Sequence, residues 1–327
     1  MSYSAIAQQM IVLCVESYVD ENPLPGWSIS DQESQMFRDI NNALTGYPGG
    51  WQITWGPALS DDRANMMYVA GNGSGGYAVV IRGTDWDFVL DWIEDFTTIL
   101  QVPAPYGSGV KIAAGTLIGL ITLMTMTASD GTTLTQYLAT LPSTAQLYVT
   151  GHSLGGCLAS ALAPWLVEQG FGAATMQVYT FAGPTAGDQA FAYYYDKLFG
   201  SRATRFYNVI DLVPNAWATL PAIKHLFDPA PTCPGFVKDL IDWVQPVIPT
   251  YVQPGNAVAL PGKIHWTSTI QAADPINDIL WGLQVENQHA STYYAQLLGV
   301  TIHKHQTKIA ATIAVPPNPN AQPRVAG

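Results

Sequence analysis

The spacing of apolar residues changes period along this chain, and each change marks an element. Ile6, Met10, Leu13 and Val15 recur at near-helical spacing, so a helix is predicted within residues 1–20, broken by Pro23, Pro25 and Gly26. A second helix is predicted over Asp31–Leu44, then a Gly- and Pro-rich loop carrying Trp51 and Trp55. Asn65–Ala70 and Tyr77–Ile81 read as strands joined by Gly71-Asn72-Gly73-Ser74-Gly75-Gly76. That joint satisfies G-x-G-x-x-G and follows a strand. A dinucleotide site must next open a helix, whereas here another strand begins at once, so a hairpin turn is predicted. The apolar run Ile112–Met126 is interrupted by Thr116, Thr122, Thr125, Gly115 and Gly119. It is shorter than the roughly 20 residues that span a bilayer core, so a buried helix is predicted. A short helix follows at Thr132–Leu141.

From residue 146 onward strands and helices alternate. Gln146–Thr150, Gln177–Phe181 and Thr204–Val209 are β-branched or aromatic runs, and Cys157–Glu168 and Asp188–Phe199 read as helices. This alternation predicts an α/β fold, with a mainly parallel sheet covered on both faces. Residues 221–262 depart from it: prolines are frequent and periodicity is short, as in an insertion packed over one end of the sheet. Helical signals return at 275–283 and 289–298. The composition from Pro316 predicts a disordered tail, leaving a single domain over residues 1–315.

Composition narrows the possibilities. Hydrophobic residues make up 48% of the 327 and charged residues only 11%, as a large core requires. The net charge of −11 argues against nucleic acid and against electrostatic docking on anionic lipid. Cys14, Cys157 and Cys233 are odd in number and far apart, so buried free thiols are expected rather than disulfides or a metal site. The N-terminus has no basic leader region, and the apolar run Ile11–Val15 is too short for a signal peptide. Cytoplasmic residence, or export by a non-standard route, is the expectation.

The sharpest chemical signal is Gly151-His152-Ser153-Leu154-Gly155-Gly156, a G-x-S-x-G sequence between a predicted strand and a predicted helix. A serine on so tight a turn is pushed forward, and flanking glycines are needed where a Cβ would meet neighbouring backbone. A serine hydroxyl needs a general base and an acid to orient that base. Asp211 follows the strand Thr204–Val209 at the same sheet end as Ser153, whereas Asp196 lies within a helix and Asp228 in the Pro-rich insertion. Spacing alone leaves the base open among His225, His265, His289, His303 and His305. His303-x-His305 lacks accompanying carboxylates and reads as surface rather than as a metal pair. The amide of Leu154, after the serine, is one expected oxyanion donor. Thr84, at the end of Tyr77–Thr84, is placed to give the second, although a strand-end threonine also caps helices.

Taken in order, Ile81-Arg82-Gly83-Thr84, Val149–Gly156, Phe181-Ala182-Gly183-Pro184, Asn208–Pro214 and His289-Ala290-Ser291-Thr292-Tyr293 form a set that resembles the class 3 lipase family, the group of the filamentous-fungal triacylglycerol lipases. The resemblance covers about residues 65–300. It implies an α/β-hydrolase fold: a mostly parallel central sheet, helices on both faces and a helical lid. It also implies Ser153, Asp211 and His289 as triad, with Thr84 and Leu154 at the oxyanion hole. The chain departs from the family at Ile81, where Phe is common, and at Ala113-Ala114-Gly115-Thr116, where His-x-Gly-Phe is typical. It also lacks the paired cysteines of the secreted fungal members. The expected activity is hydrolysis of acylglycerol esters through an acyl-enzyme, without metal or organic cofactor, by a monomer with no transmembrane segment working at an oil–water interface. Phospholipase A1 or feruloyl esterase activity on the same fold is the alternative within enzymes. A catalytically inactive acyl-lipid-binding protein is the alternative outside them.

In such lipases the segment after the oxyanion strand is a lid, and residues 85–96 fit one. As a helix, Trp86, Val89, Leu90 and Ile93 form one apolar ridge and Phe88, Trp92 and Phe96 another, with Asp87, Asp91, Glu94 and Asp95 opposite. A static helix packed on the core has the same pattern, so interfacial activation is the test. A lid predicts that specific activity on a short-chain ester rises once the ester exceeds its solubility limit. Equal activity below and above that limit contradicts it.

Overall fold

The computed structural model describes residues 3–19, 26–83, 100–172, 174–265 and 274–303. The lid segment 85–96, Thr84, His305 and the tail 316–327 lie outside the described residues.

Helix α1 (Ala5–Glu16) begins where the Ser4 hydroxyl accepts the Ala7 N–H, and α2 (Ile29–Leu44) opens with a reciprocal Ser28–Asp31 capping box. Strands β1 (Gln52–Leu59), β2 (Met66–Gly71) and β3 (Gly76–Ile81) form an antiparallel meander. The hairpin predicted at 71–76 is present, with Asn72 Oδ1 accepting the N–H groups of Ser74 and Gly76 at 2.9 Å each. The predicted loop around Trp51 and Trp55 is instead mostly strand β1. Its register shifts between Trp55 and Ala58, around Gly56-Pro57, and the bulge breaks the alternation that announces a strand.

A two-stranded ribbon, β4 (Gln101–Pro103) and β5 (Lys111–Ala113), precedes α3 (Ala114–Thr125) and α4 (Leu134–Leu138). The alternating half follows: β6 (Gln146–His152), α5 (Leu154–Glu168), β7 (Gln177–Phe181), α6 (Gln189–Phe199) and β8 (Ala203–Asn208). Then come α7 (Gly235–Val244), β9 (Ala257–Leu260), α8 (Asp274–His289) and α9 (Ser291–Leu297). Among the described residues the central sheet has seven strands in the order β1-β2-β3-β6-β7-β8-β9, with β3, β6, β7, β8 and β9 parallel.

Alternate residues of each strand feed two cores. Met67, Val69, Val79, Ile81 and Val149 pack beneath α3, α5 and α6, while Met66, Tyr68, Ala70, Ala78 and Val80 pack beneath α1, α2 and α9. The helix expected at α3 is present, but only one face is buried: Leu120 and Leu123 face the core, whereas Ile118 is 65% exposed. The three cysteines are buried free thiols, as expected.

The insertion at 221–262 is more than a cover. Its α7 joins Leu212, Val213, Trp217 and Trp281 in a third core beyond the Asp211 end of the sheet. Its last residues form β9, which pairs with β8 from Arg205–Ala257 to Asn208–Leu260. Four residues among prolines carry too little pattern to be read as a strand in advance.

Close backbone approach fixes the β6–α5 bend. A Cβ on Gly155 would overlap the Ile81 carbonyl and lie 2.9 Å from Gly83 N, and one on Gly151 would overlap the Gly155 carbonyl. Gly155→Ala is therefore expected to lower the unfolding free energy by about 1–3 kcal/mol, read as a lower urea midpoint at unchanged slope. An unchanged midpoint would mean that α5 moves off β3 without penalty.

Candidate active site

Ser153 sits between the last residue of β6 and the first of α5, with φ 59° and ψ −131°. A non-glycine residue reaches this backbone region only when its surroundings enforce it. Here the Ser153 N–H donates to the Phe181 carbonyl of β7 at 2.9 Å, and the Ser153 carbonyl accepts from Gly156 N–H at 2.9 Å. The bend aims the hydroxyl at the carboxyl ends of the parallel strands.

Asp211 arrives from β8 through a turn in which Asn208 Oδ1 accepts the Ile210 N–H at 3.2 Å and Asp211 N–H donates to Asn208 C=O at 3.0 Å. Its carboxylate is fully buried. Oδ1 accepts the Val213 N–H at 3.0 Å, and Oδ2 accepts the Tyr294 hydroxyl at 2.8 Å and His289 Nδ1–H at 2.9 Å. A buried carboxylate needs such a donor set to remain ionised. Burial, followed by the nearby Asp211 charge, pushes the Tyr294 phenol well above its usual value, so it stays a protonated donor.

His289 is the last residue of α8, and Ala290 alone separates it from α9. The helix end aims the imidazole. With Nδ1–H given to Asp211, Nε2 accepts the Ser153 hydroxyl at 2.7 Å. Ser153 and His289 are buried, at 3% and 4% exposure. The structure thus brings together Ser153, Asp211 and His289. His225 is exposed and pairs with Asp228 at 2.8 Å, His265 lies edge-on to Tyr293, and His303 lies beside Tyr47.

Leu154 opens α5, so its N–H is among the first-turn donors that lack an intrahelical acceptor and carry partial positive charge. A Cβ on Gly83 would lie 3.0 Å from Ser153 Cβ, so the end of the β3 segment abuts the bend. Among the described residues no cluster of three or more His, Cys, Asp or Glu could hold a metal ion, and no helix is long and apolar enough to cross a membrane.

Further polar groups brace the three. Asn208 Nδ2 donates to the Gln288 carbonyl at 3.0 Å and to Gln288 Oε1 at 2.7 Å, tying the β8 end to the residue before His289. Tyr294 also accepts the Asn208 N–H, at 2.9 Å. His152 bridges Tyr18 and the His289 carbonyl. Sequence reasoning missed these residues. The signal for Asn208 is a polar side chain ending a strand, and for Tyr294 a tyrosine five residues past the histidine.

A mostly parallel sheet with a strained serine at a strand–helix bend, an aspartate just past the end of the next-but-one strand and a histidine at a helix end beside it defines an α/β-hydrolase. Residues 78–220 match the sequence model of the lipase (class 3) family. A lipase from Rhizomucor miehei is 31% identical over 170 residues, 50% of this chain and 42% of that protein. The match therefore spans less than half the length of that relative. A Caenorhabditis elegans lipase is 29% identical over 278 residues, 78% of this chain and 70% of its own. Among solved structures, M37 lipase superposes with a TM-score of 0.74 at 28% identity, covering 91% of this chain and 93% of its own. Over residues 78–220 the chain is thus similar to the class 3 lipase family.

Burial, then the neighbouring His289, holds the His152 imidazole well below its usual value of about 6.5. It stays neutral when folded, whereas an unfolded-chain histidine protonates below about pH 6.5. The unfolded state then binds the extra proton, so stability falls as pH falls, by up to about 1.4 kcal/mol per pH unit for this group. The wild-type urea midpoint is expected to drop more between pH 7 and pH 5 than that of His152→Gln. Equal drops contradict the assignment.

Proposed function

We propose that this chain is a serine carboxylic-ester hydrolase acting on fatty-acyl esters, with acylglycerols as the substrate class. The observation that carries the reading is the hydrogen-bonded line from Asp211 through His289 to Ser153, at 2.9 Å and 2.7 Å, in one buried site. In the proposed reaction Ser153 Oγ attacks the ester carbonyl as its proton passes to His289 Nε2. Asp211 keeps the Nδ1–H tautomer and stabilises the imidazolium. The Leu154 amide and that of Thr84 are assigned to the oxyanion, whose charge develops as the carbonyl becomes tetrahedral. The intermediate collapses, the alcohol leaves with the proton from His289, and an acyl-Ser153 ester remains. Water, deprotonated by His289, then releases the fatty acid and restores the hydroxyl.

The substrate class draws on the lipase relatives and on the sequence of residues 85–96, whose many apolar and aromatic residues suit contact with lipid at an oil–water interface. The test is hydrolysis of a p-nitrophenyl ester series from acetyl to palmitoyl, beside an emulsified triacylglycerol. Ser153→Ala and His289→Ala are each expected to lower kcat by about 10⁴-fold or more, and His225→Ala and His265→Ala to leave it at the wild-type level. Activity retained in His289→Ala, or turnover absent from the wild type on every ester, contradicts the reading.

A further inference from the structure

We propose that His152 is a positioning residue for His289, and that Tyr18 braces the tautomer in which it works. The inference rests on the reading of Ser153, His289 and Asp211 as the reacting group. Asp211 and Ser153 orient the His289 ring, but its main chain must be held as well. His289 ends α8, and the last carbonyls of a helix have no intrahelical donor. The His289 carbonyl finds one in His152 Nε2, at 2.8 Å.

The protons in this link have one arrangement. A carbonyl only accepts, so Nε2 of His152 carries the hydrogen. Nδ1 is then an acceptor, and the Tyr18 hydroxyl donates to it at 2.9 Å. The reversed tautomer would face the carbonyl with a lone pair. The His152 ring is clamped on several sides: its centroid lies 4.9 Å from that of His289, 5.5 Å from Tyr294 and 5.8 Å from Tyr18. The Tyr18 hydroxyl is wedged so closely against Gly83 that a Cβ there would overlap it. The segment after α1 therefore closes the back of the site. Because His152 directly precedes Ser153, one dipeptide carries both the nucleophile and the group holding the main chain of the base. Misplacement by about 1 Å can reduce turnover by about a hundredfold, so such a brace matters to rate as well as to stability.

The test compares the full-length wild type with His152→Leu, His152→Gln and Tyr18→Phe. Each is assayed for kcat and KM on a soluble p-nitrophenyl ester, with sites counted by fluorophosphonate labelling carried to completion, and for its urea midpoint. Per labelled site, His152→Leu is expected to lose about 10- to 100-fold in kcat at nearly unchanged KM. His152→Gln, whose amide N–H can reach the same carbonyl, is expected to recover most of the loss. Tyr18→Phe removes one oxygen and keeps the packing; about a three- to tenfold loss in kcat is expected, and it carries the test if His152→Leu does not fold. A merely structural role would lower the midpoint and the number of labelled sites and leave kcat per site unchanged; that result overturns the proposal. So does equal impairment of the Leu and Gln variants. If wild-type turnover does not depend on Ser153, the underlying reading fails as well. If it depends on Ser153 and His289 but the His152 and Tyr18 variants match wild type, this inference alone fails.

Discussion

The structure turns on one hydrogen-bonded line, Asp211 carboxylate to His289 imidazole to Ser153 hydroxyl. Three segments far apart in the chain must end within 2.9 Å and 2.7 Å of one another. No local preference can achieve this. It requires the parallel strands β6 and β8 to finish at one rim and the end of α8 to be packed beside them. Burying a carboxylate there is costly unless donors surround it, and the Val213 amide, the Tyr294 hydroxyl and His289 itself provide them.

Two kinds of constraint build that rim. The first is close backbone approach at the β6–α5 bend, where Gly151 and Gly155 admit neighbouring carbonyls that a methyl group would exclude. The second is polar cross-bracing between elements. Asn208 joins the β8 end to Gln288, Tyr294 joins α9 to Asp211, and the Tyr18–His152 pair joins the segment after α1 to the end of α8. Each brace satisfies a buried polar group that would otherwise destabilise the fold, so the contacts that shape the site also stabilise it.

Much of this was legible in the sequence, for identifiable reasons. Ser153 was readable because the bend needs glycines in a fixed frame between two periodic elements. Asp211 was readable because an acid follows a strand whose β-branched and aromatic run is clear. Residue spacing left His289 open, since its aim depends on where α8 ends against β8, and the family resemblance singled it out. Strand β1 was hidden by its bulge at Gly56-Pro57, and β9 by its four-residue length among prolines. The half-exposed α3 defied its composition because Thr116, Leu120 and Leu123 face the core while the equally apolar Ile118 and Ile121 face outward. The bracing residues were unread because a buried tyrosine or histidine has no period, and its partner is known only once the elements are packed.

The most direct measurement is peptide mapping by mass spectrometry after a single fluorophosphonate treatment of the native chain. The account predicts one adduct per molecule, on Ser153, formed rapidly in the folded protein and not after unfolding in urea. An adduct confined to a different serine, or equal modification of many serines before and after unfolding, would contradict it.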